Sequence, residues 1–241
     1  MLCTALAPIA LATAVPAAPA DPQLPDLASV ANEIARRTNA FRSSQGVSPV
    51  NADARLAAAA QEFAQYMAAT DRYGHEADGR APEARARAAG YEYCVVAENL
   101  GFLVTSTGLS TAELASHLMD GWVDSPGHRR NLLLAAITDI GIGIAQSERS
   151  RRFYAVQLFG RPRSASVTIR VTNRTSDAVH YEIDGEDFRL PVRATRTHQR
   201  CTEGNLRMVG PNQGEVKGPL RDGTQYVATR DPSGQVRFLV R

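Results

Sequence analysis

Two histidines and one glutamate are the side chains in this sequence best suited to chemistry. His75 lies in a polar stretch, Glu98 lies within an apolar run, and His128 closely follows Ser125 and Pro126. Two imidazole nitrogens and one carboxylate oxygen form a ligand set for a divalent transition metal, with zinc as the favoured ion. Three protein ligands would leave one coordination position open for water.

The spacing of these residues does not by itself show that they meet. His75 and Glu98 are 23 positions apart and Glu98 and His128 are 30 apart, more than in any local metal motif. Taken singly, His75 is typical of an exposed loop histidine and His128 of a residue at a helix end. Glu98 is different, because a carboxylate among apolar neighbours needs a partner.

The start of the helix that carries His128 is clearly marked. Ser125 fits the N-cap position and Pro126 the first helical position, which places His128 in the first turn. The positive end of the helix dipole favours neutral imidazole there, and neutral imidazole is the form that binds metals.

A second carboxylate for acid–base chemistry is harder to assign. Asp124 or Asp120 is the nearest candidate, and Asp124 lies four residues before His128. Without either of them the only base is Glu98, and a metal ligand cannot easily also transfer protons.

No nucleophile is indicated either. Ser125 is explained as a helix cap, and Cys94 lies in an apolar run without a neighbouring base. The sequence leaves open whether the protein is an enzyme.

Predicted helices lie on both sides of the candidate residues. Apolar positions at helical spacing predict amphipathic helices over 28–44 and 52–70, and a short helix is expected over 82–89. A further helix opens with a capping box formed by Ser110 and Glu113. The polar stripe of that helix is typical of a solvated face; its members are Glu113, His117, Asp120 and Asp124.

Strand patterns are fewer in the first 160 residues. One strand is predicted over 95–104, and a hairpin is predicted from 138–146 and 152–160. In the first arm of the hairpin the isoleucines share one face, while Gly141 and Gly143 lie on the other. A strand face without side chains lets another backbone approach closely, and that backbone is usually a packed helix.

The last 80 residues have a different pattern. Short strands are expected over 166–173, 178–183, 187–191, 224–230 and 235–240, which together predict a small sandwich or barrel. Residues 161–241 carry 14 basic side chains, 13 of them arginine, against 9 acidic ones. The favoured interpretation is a solvated surface that complements the acidic residues 21–160 by charge. Docking to anionic envelope polymers or lipid headgroups is the alternative.

Composition limits the class of protein. With 241 residues, 44% apolar and 22% charged, the chain is neither disordered, collagen-like nor a multi-span membrane protein. A net charge of only +2 gives no indication of nucleic-acid binding. Residues 1–20 are uncharged and rich in Ala and Leu, with small residues at Ala18 and Ala20, which predicts a cleaved signal peptide and a periplasmic or extracellular protein. An ordinary N-terminal helix is the alternative; a permanent membrane anchor is not expected.

Two cysteines remain after removal of the predicted signal peptide. Cys94 and Cys201 fall in the two different parts of the chain. In an exported protein they either pair or stay as free thiols, and both outcomes are open.

Several ordered segments resemble a known family. They are Asn39-Ala-Phe-Arg42 with Gly46, Gly74-His75, Ala97-Glu98-Asn99-Leu100, the run from Gly121 to Leu132, Gly141-x-Gly143 and Gln157-Leu-Phe159. Together they resemble the CAP superfamily of cysteine-rich secretory, antigen 5 and pathogenesis-related proteins, and in particular its bacterial SCP-like branch. The resemblance covers about residues 30–160.

The resemblance implies an α+β fold, an α-β-α sandwich over residues 28–160, to which the strand pattern adds a small all-β domain over 164–241. It also implies a cleft in which His75, Glu98 and His128 converge. The favoured function is a non-enzymatic exported binding module whose cleft holds a divalent cation or a small amphiphilic ligand, lipid or envelope component. The alternative is a metal-dependent hydrolase of peptides or envelope polymers.

Overall fold

A computed structural model describes residues 24–105, 108–202, 204–209 and 218–241. The predicted signal peptide, residues 1–20, lies outside these ranges. The helices are α1 (Leu27–Ser44), α2 (Ala54–Thr70), α3 (Pro82–Ala88), α4 (Thr111–Asp124) and α5 (Pro126–Leu132). The strands of the first part of the chain are β1 (Asn51–Ala52), β2 (Tyr93–Leu103), β3 (Asp139–Gln146) and β4 (Phe153–Pro162).

The helix starts follow local hydrogen bonding. Ser110 and Glu113 form the predicted capping box of α4. The predicted helix over 52–70 begins two residues later than expected, because Ala52 pairs with β3 and the Asp53 side chain accepts hydrogen bonds from the amides of Arg55 and Leu56. Asp53 therefore sets the first residue of α2.

The first sheet is the middle layer of an α-β-α sandwich. Its strand order is β1-β3-β4-β2, with β4 antiparallel to both neighbours. Alternate residues of β4 enter two separate cores. Phe153, Ala155 and Phe159 pack with α1 and α4, while Tyr154, Val156 and Leu158 pack with α2. The fold class predicted from the sequence is confirmed for this part of the chain.

The glycine face of β3 lies against the backbone of α2. A Cβ atom built on Gly141 would lie 2.1 Å from the Ala57 amide nitrogen, and one on Gly143 would lie 2.2 Å from the Gln61 amide nitrogen. The Gln61 side chain also bonds both the amide and the carbonyl of Ile144. The helix predicted to cover this face is therefore α2, held in direct backbone contact.

Substituting Gly143 by alanine is expected to destabilise the protein by about 3 kcal/mol, because helix backbone cannot move aside as a flexible side chain can. Urea unfolding measures this change. Gly121→Ala is the matched control: it also adds one methyl group, but to a position within α4 where nothing lies within 4 Å. That control should stabilise the fold by about 0.5–1 kcal/mol through helix propensity. Equal effects of the two changes would contradict the role of the glycine face.

The C-terminal β region, residues 164–241, contains seven described strands. They are β5 (Val167–Asn173), β6 (Val179–Ile183), β7 (Glu186–Leu190), β8 (Thr195–Arg200), β9 (Leu206–Val209), β10 (Gln225–Arg230) and β11 (Val236–Val240). They form two sheets, β11-β10-β5-β8 and β7-β6-β9, around one apolar cluster. The sequence predicted five of them. It missed β8 and β9. The β8 residues TRTHQR hold no aliphatic side chain, and pairing with β5 makes them a strand; the four residues of β9 pair with β6.

A disulfide joins the two parts of the chain. Cys94 of β2 and Cys201, next to β8, are bonded across 107 positions of sequence, with their Cα atoms 5.2 Å apart. The paired alternative is therefore the one that the structure shows. A short 3-10 turn, Arg163–Ala165, provides the direct connection between β4 and β5.

Within the described ranges, no helix is both long and apolar enough to cross a lipid bilayer.

Candidate functional site

Three elements bring the predicted site residues to the β2 edge of the first sheet. Glu98 lies on β2 opposite Leu158 of β4, His75 lies in the loop after α2, and His128 lies in α5. Ser125 is the N-cap residue of α5 with Pro126 at its first positions, as predicted, although the Ser125 side chain makes no capping hydrogen bond.

A chain of buried amides fixes the position of His128. Asn99 donates to the His128 carbonyl oxygen at 3.2 Å and to the Gln157 side chain at 3.0 Å. Gln157 in turn donates to the Thr38 hydroxyl at 2.8 Å, and Asn131 donates to the Asn99 side chain and to the Glu98 carbonyl. Because Asn99 and Gln157 are fully buried, this network links β2 and α5 rigidly.

Glu98 is a buried carboxylate with two cationic or ionisable partners. His75 Nδ1 lies 2.7 Å from its Oε1, and Arg85 donates to its Oε2 at 2.7 Å. The Glu98 side chain is 1% exposed and the His75 side chain 56% exposed. An ionised carboxylate accepts hydrogen bonds and does not donate them, so Glu98 orients the His75 ring with Nδ1 as the donor and Nε2 turned away from the carboxylate.

Arg85 also forms a second buried ion pair, with Asp78. Its guanidinium donates to Asp78 at 2.9 Å and to the His75 carbonyl oxygen at 2.9 Å, and its Cζ lies 3.5 Å from the centre of the Phe63 ring. The side chain is 2% exposed. Arg85 therefore orders both the loop that carries His75 and the carboxylate that orients its ring.

The ionisation of the site follows from burial. Burial raises the pKa of Glu98, and the Arg85 and His75 charges oppose that rise. Burial lowers the pKa of His128, and the positive charge of a protonated His75 lowers it further.

A groove of about 210 Å³ runs beside His128. Gly101 of β2 forms part of its floor, since a Cβ there would lie 3.2 Å from both Leu118 Cδ2 and Trp122 Nε1. Trp122 donates from Nε1 to the Leu100 carbonyl oxygen at 2.9 Å, which holds the indole against the strand. The floor is therefore apolar and fixed.

Aromatic and imidazole side chains form the walls of the groove. Tyr73 and Phe102 are 45% and 46% exposed, and their rings meet edge to face with centroids 5.0 Å apart. Partial burial and the nearby Glu98 charge raise the pKa of Tyr73. His117 also lines the groove. The sequence placed His117 on a solvated stripe and did not point to Tyr73. His117 reaches the groove because α4 packs against β2, and Tyr73 reaches it because its ring contacts Phe102 of β2.

The remaining candidates lie elsewhere. Asp124 is exposed at the end of α4, outside the residues that line the groove. Cys94 is in the disulfide and is therefore no nucleophile.

The hydrogen bonds of Glu98 bear on whether the site can bind a metal ion. Both carboxylate oxygens of Glu98 are already engaged, by His75 and Arg85. Within the part of the chain that the structure describes, no three or more His, Cys, Asp or Glu side chains form a group that could hold a metal ion. The residues present therefore do not fit a zinc site with three protein ligands as they stand, and the predicted role of Glu98 as a ligand stays a prediction.

The sequence profile of the cysteine-rich secretory protein family, CAP, matches residues 35–159. The chain belongs to the CAP family. The matched residues include His75, Glu98 and His128 and run from α1 to the end of β4.

Individual CAP relatives are similar at lower levels. YkwD of Bacillus subtilis is 28% identical over 116 residues, 48% of this chain and 42% of YkwD. An extracellular SCP-domain protein from Bacillus anthracis is 22% identical with a TM-score of 0.48, over 59% of this chain and 45% of the other. An outer surface protein from Borrelia burgdorferi is 18% identical with a TM-score of 0.49, over 57% and 96%. The chain thus spans less than half the length of YkwD.

Some of the CAP motif residues have structural roles. The Asn39 side chain makes two hydrogen bonds to the Val50 backbone. Arg42 is fully buried and donates to the carbonyl oxygens of Ser48, Leu132 and Leu134. The Arg42 contacts tie α1 to the end of α5, the helix that carries His128.

Proposed function

We propose that this CAP protein is an exported, non-enzymatic binding module whose groove takes a small amphiphile. The observation that carries the proposal is the exposed Tyr73–Phe102 pair, which lies in one groove with His128 and next to His75. Exposed aromatic rings attract apolar groups, and an imidazole N–H can donate a hydrogen bond to an anionic headgroup. The Cys94–Cys201 disulfide supports export, because such bonds persist in oxidising compartments.

The size of the groove limits the ligand. Drug-sized ligands occupy pockets of about 300–1,000 Å³, whereas this groove measures about 210 Å³. A short-chain amphiphile would lie partly covered, with its chain on the aromatic rings and its head near the imidazoles.

Titration calorimetry with octanoate at neutral pH tests the groove. We expect Phe102→Ala to weaken binding about ten-fold through the lost apolar contact, and His128→Ala to weaken it about three-fold or more. His180→Ala, which removes an exposed histidine of the C-terminal β region, should have no effect. No saturable binding, or equal binding by the Phe102→Ala variant, would remove the groove as the site.

A metal-dependent hydrolase is the second candidate function. It is favoured by the pairing of His75 Nδ1 with Glu98, which turns Nε2 away from the carboxylate. A carboxylate behind a histidine is the arrangement that orients metal-binding imidazoles. The unmatched third ligand is the reason that we place binding first.

Metal analysis after dialysis against zinc separates the two candidates. A hydrolase requires about one zinc per chain, lost in both His75→Ala and His128→Ala, together with cleavage of a peptide or cell-wall panel that disappears in the same variants. His180→Ala again serves as the control. Zinc absent from the wild-type protein would eliminate the metal-dependent hydrolase and leave octanoate binding unaffected.

A further inference from the structure

The two outer faces of the C-terminal β region differ in charge. On the sheet β7-β6-β9 the outward positions mix signs: Glu182 and Asp187 accompany Arg189 and Arg207. On the sheet β11-β10-β5-β8 the outward positions of the described strands carry arginine, threonine, glutamine, Val227 and Leu239, and no carboxylate. Mixed signs are ordinary for a solvated surface, whereas a face of one sign attracts a partner of the opposite sign.

Strand register places four arginines at the corners of this second face. Arg170 lies opposite Gln225, whose backbone exchanges two hydrogen bonds with Arg241. Four residues further along, Arg237 lies opposite Thr229. Arg174 lies beside Thr229 on the side opposite Arg237. The Arg170 amide donates to the Thr224 carbonyl oxygen, and four residues further along the Arg174 amide donates to the Ala228 carbonyl oxygen in the same register.

The four corners form a rectangle. Arg170 and Arg241 are two strand spacings apart, about 10 Å, and four residues along a strand span about 13 Å. Arg170, Arg174 and Arg241 are exposed, and Val167, Ile169 and Val171 of β5 point into the core instead. The arginines therefore project to the same side, away from the core.

Two carboxylates lie at the margins of the face, and one exposed leucine lies on its β11 side, between Arg237 and Arg241. Asp231 pairs with Arg237 at 2.6 Å, and Asp222 accepts from the Thr168 amide at 2.7 Å. Leu239, 49% exposed, lies in the middle row opposite Val227. Three of the four corner guanidiniums thus have no carboxylate partner among the described residues.

We propose that this face, defined by Arg170, Arg174, Arg237, Arg241 and Leu239, docks on an anionic lipid surface. A two-dimensional array of charges fits a surface of headgroups, whereas a linear polymer would be met by a single track of charges. Cations bind anionic headgroups electrostatically, and the exposed Leu239 on the edge strand β11 can enter the interface between headgroups and acyl chains. The proposal does not depend on the groove.

Sedimentation of the full chain with vesicles tests the face. Phosphatidylglycerol vesicles should bind the protein at low salt, and 1 M salt should release it because screening then acts within about 3 Å. Each corner arginine contributes about five-fold to the partition constant. Arg170→Gln with Arg241→Gln should therefore reduce partitioning about 25-fold.

The control removes the same charge from the opposite face. Arg189→Gln with Arg207→Gln should leave partitioning within about two-fold of the wild type. Equal losses in the two double variants, or equal binding to neutral phosphatidylcholine vesicles, would overturn the proposal. Binding to soluble polyphosphate without binding to the vesicles would overturn it as well, in favour of a linear polyanion. Cooperative urea unfolding with a midpoint near that of the wild type shows that both double variants are folded.

Discussion

Replacing Arg85 by methionine is expected to lower the free energy of unfolding by about 3–5 kcal/mol. The change leaves two carboxylates, Glu98 at 1% and Asp78 at 4% exposed, without their buried counter-charge. Removing one partner of a buried ion pair costs this much because an uncompensated charge remains in the interior. Methionine keeps most of the contact with the Phe63 ring, so the loss reports mainly on charge. Urea unfolding at neutral pH measures it.

Two further variants test whether the Arg85 effect is due to the buried charge. Arg80→Met removes an arginine that is 41% exposed and pairs with the same Asp78; its cost should stay at about 1 kcal/mol or less. Adding Glu98→Gln to Arg85→Met should recover part of the loss. A deficit that is equal for Arg80→Met and Arg85→Met would contradict the central role of Arg85.

The sign of the pH dependence follows from the pKa of Glu98. Burial raises that pKa, and without the Arg85 charge it rises further. An acid whose pKa is raised by folding binds its proton more tightly in the folded state, so lowering the pH favours folding between the unfolded and folded pKa values. The stability deficit of Arg85→Met should therefore shrink as the pH falls from neutral toward 4.5, the ordinary pKa of the group.

Removal of the disulfide by Cys94→Ala and Cys201→Ala is expected to cost about 4–5 kcal/mol. The bond closes a loop of 107 positions, and loops near that length restrict the unfolded chain by about that amount. The measurement is urea unfolding of the double variant beside the wild type.

The reductant provides the control for the disulfide prediction. Wild-type protein in reductant should unfold like the double variant, whereas reductant should not alter the double variant itself. Superimposable curves for oxidised and reduced wild type would show that the bond contributes nothing to stability.

Residues with local signatures were predictable from the sequence. The capping box at Ser110, the glycine face of β3 and the helix start at Ser125-Pro126 each depend on neighbours within a few positions. The approach of His75 to Glu98 came from the family resemblance, since no spacing rule links positions that far apart.

Long-range partners were not predictable. Arg85 falls in a short helix of alternating Arg and Ala, where its neighbour Arg87 looks the same in sequence, yet only Arg85 is buried against Glu98. Likewise β8 has no apolar pattern of its own and is a strand because β5 lies beside it. Tertiary contact decides both cases, and one sequence does not contain that information locally.

The disulfide also determines how mechanical load would pass through the molecule. The C-terminal β region is attached twice: through the turn Arg163–Ala165, and through Cys94 on β2, four residues from Glu98. A pulling force on that region is therefore shared between the edge strand and the chain connection, and its covalent end point on β2 lies beside the site. Tension on the C-terminal β region would thus act directly on the strand that carries the buried carboxylate.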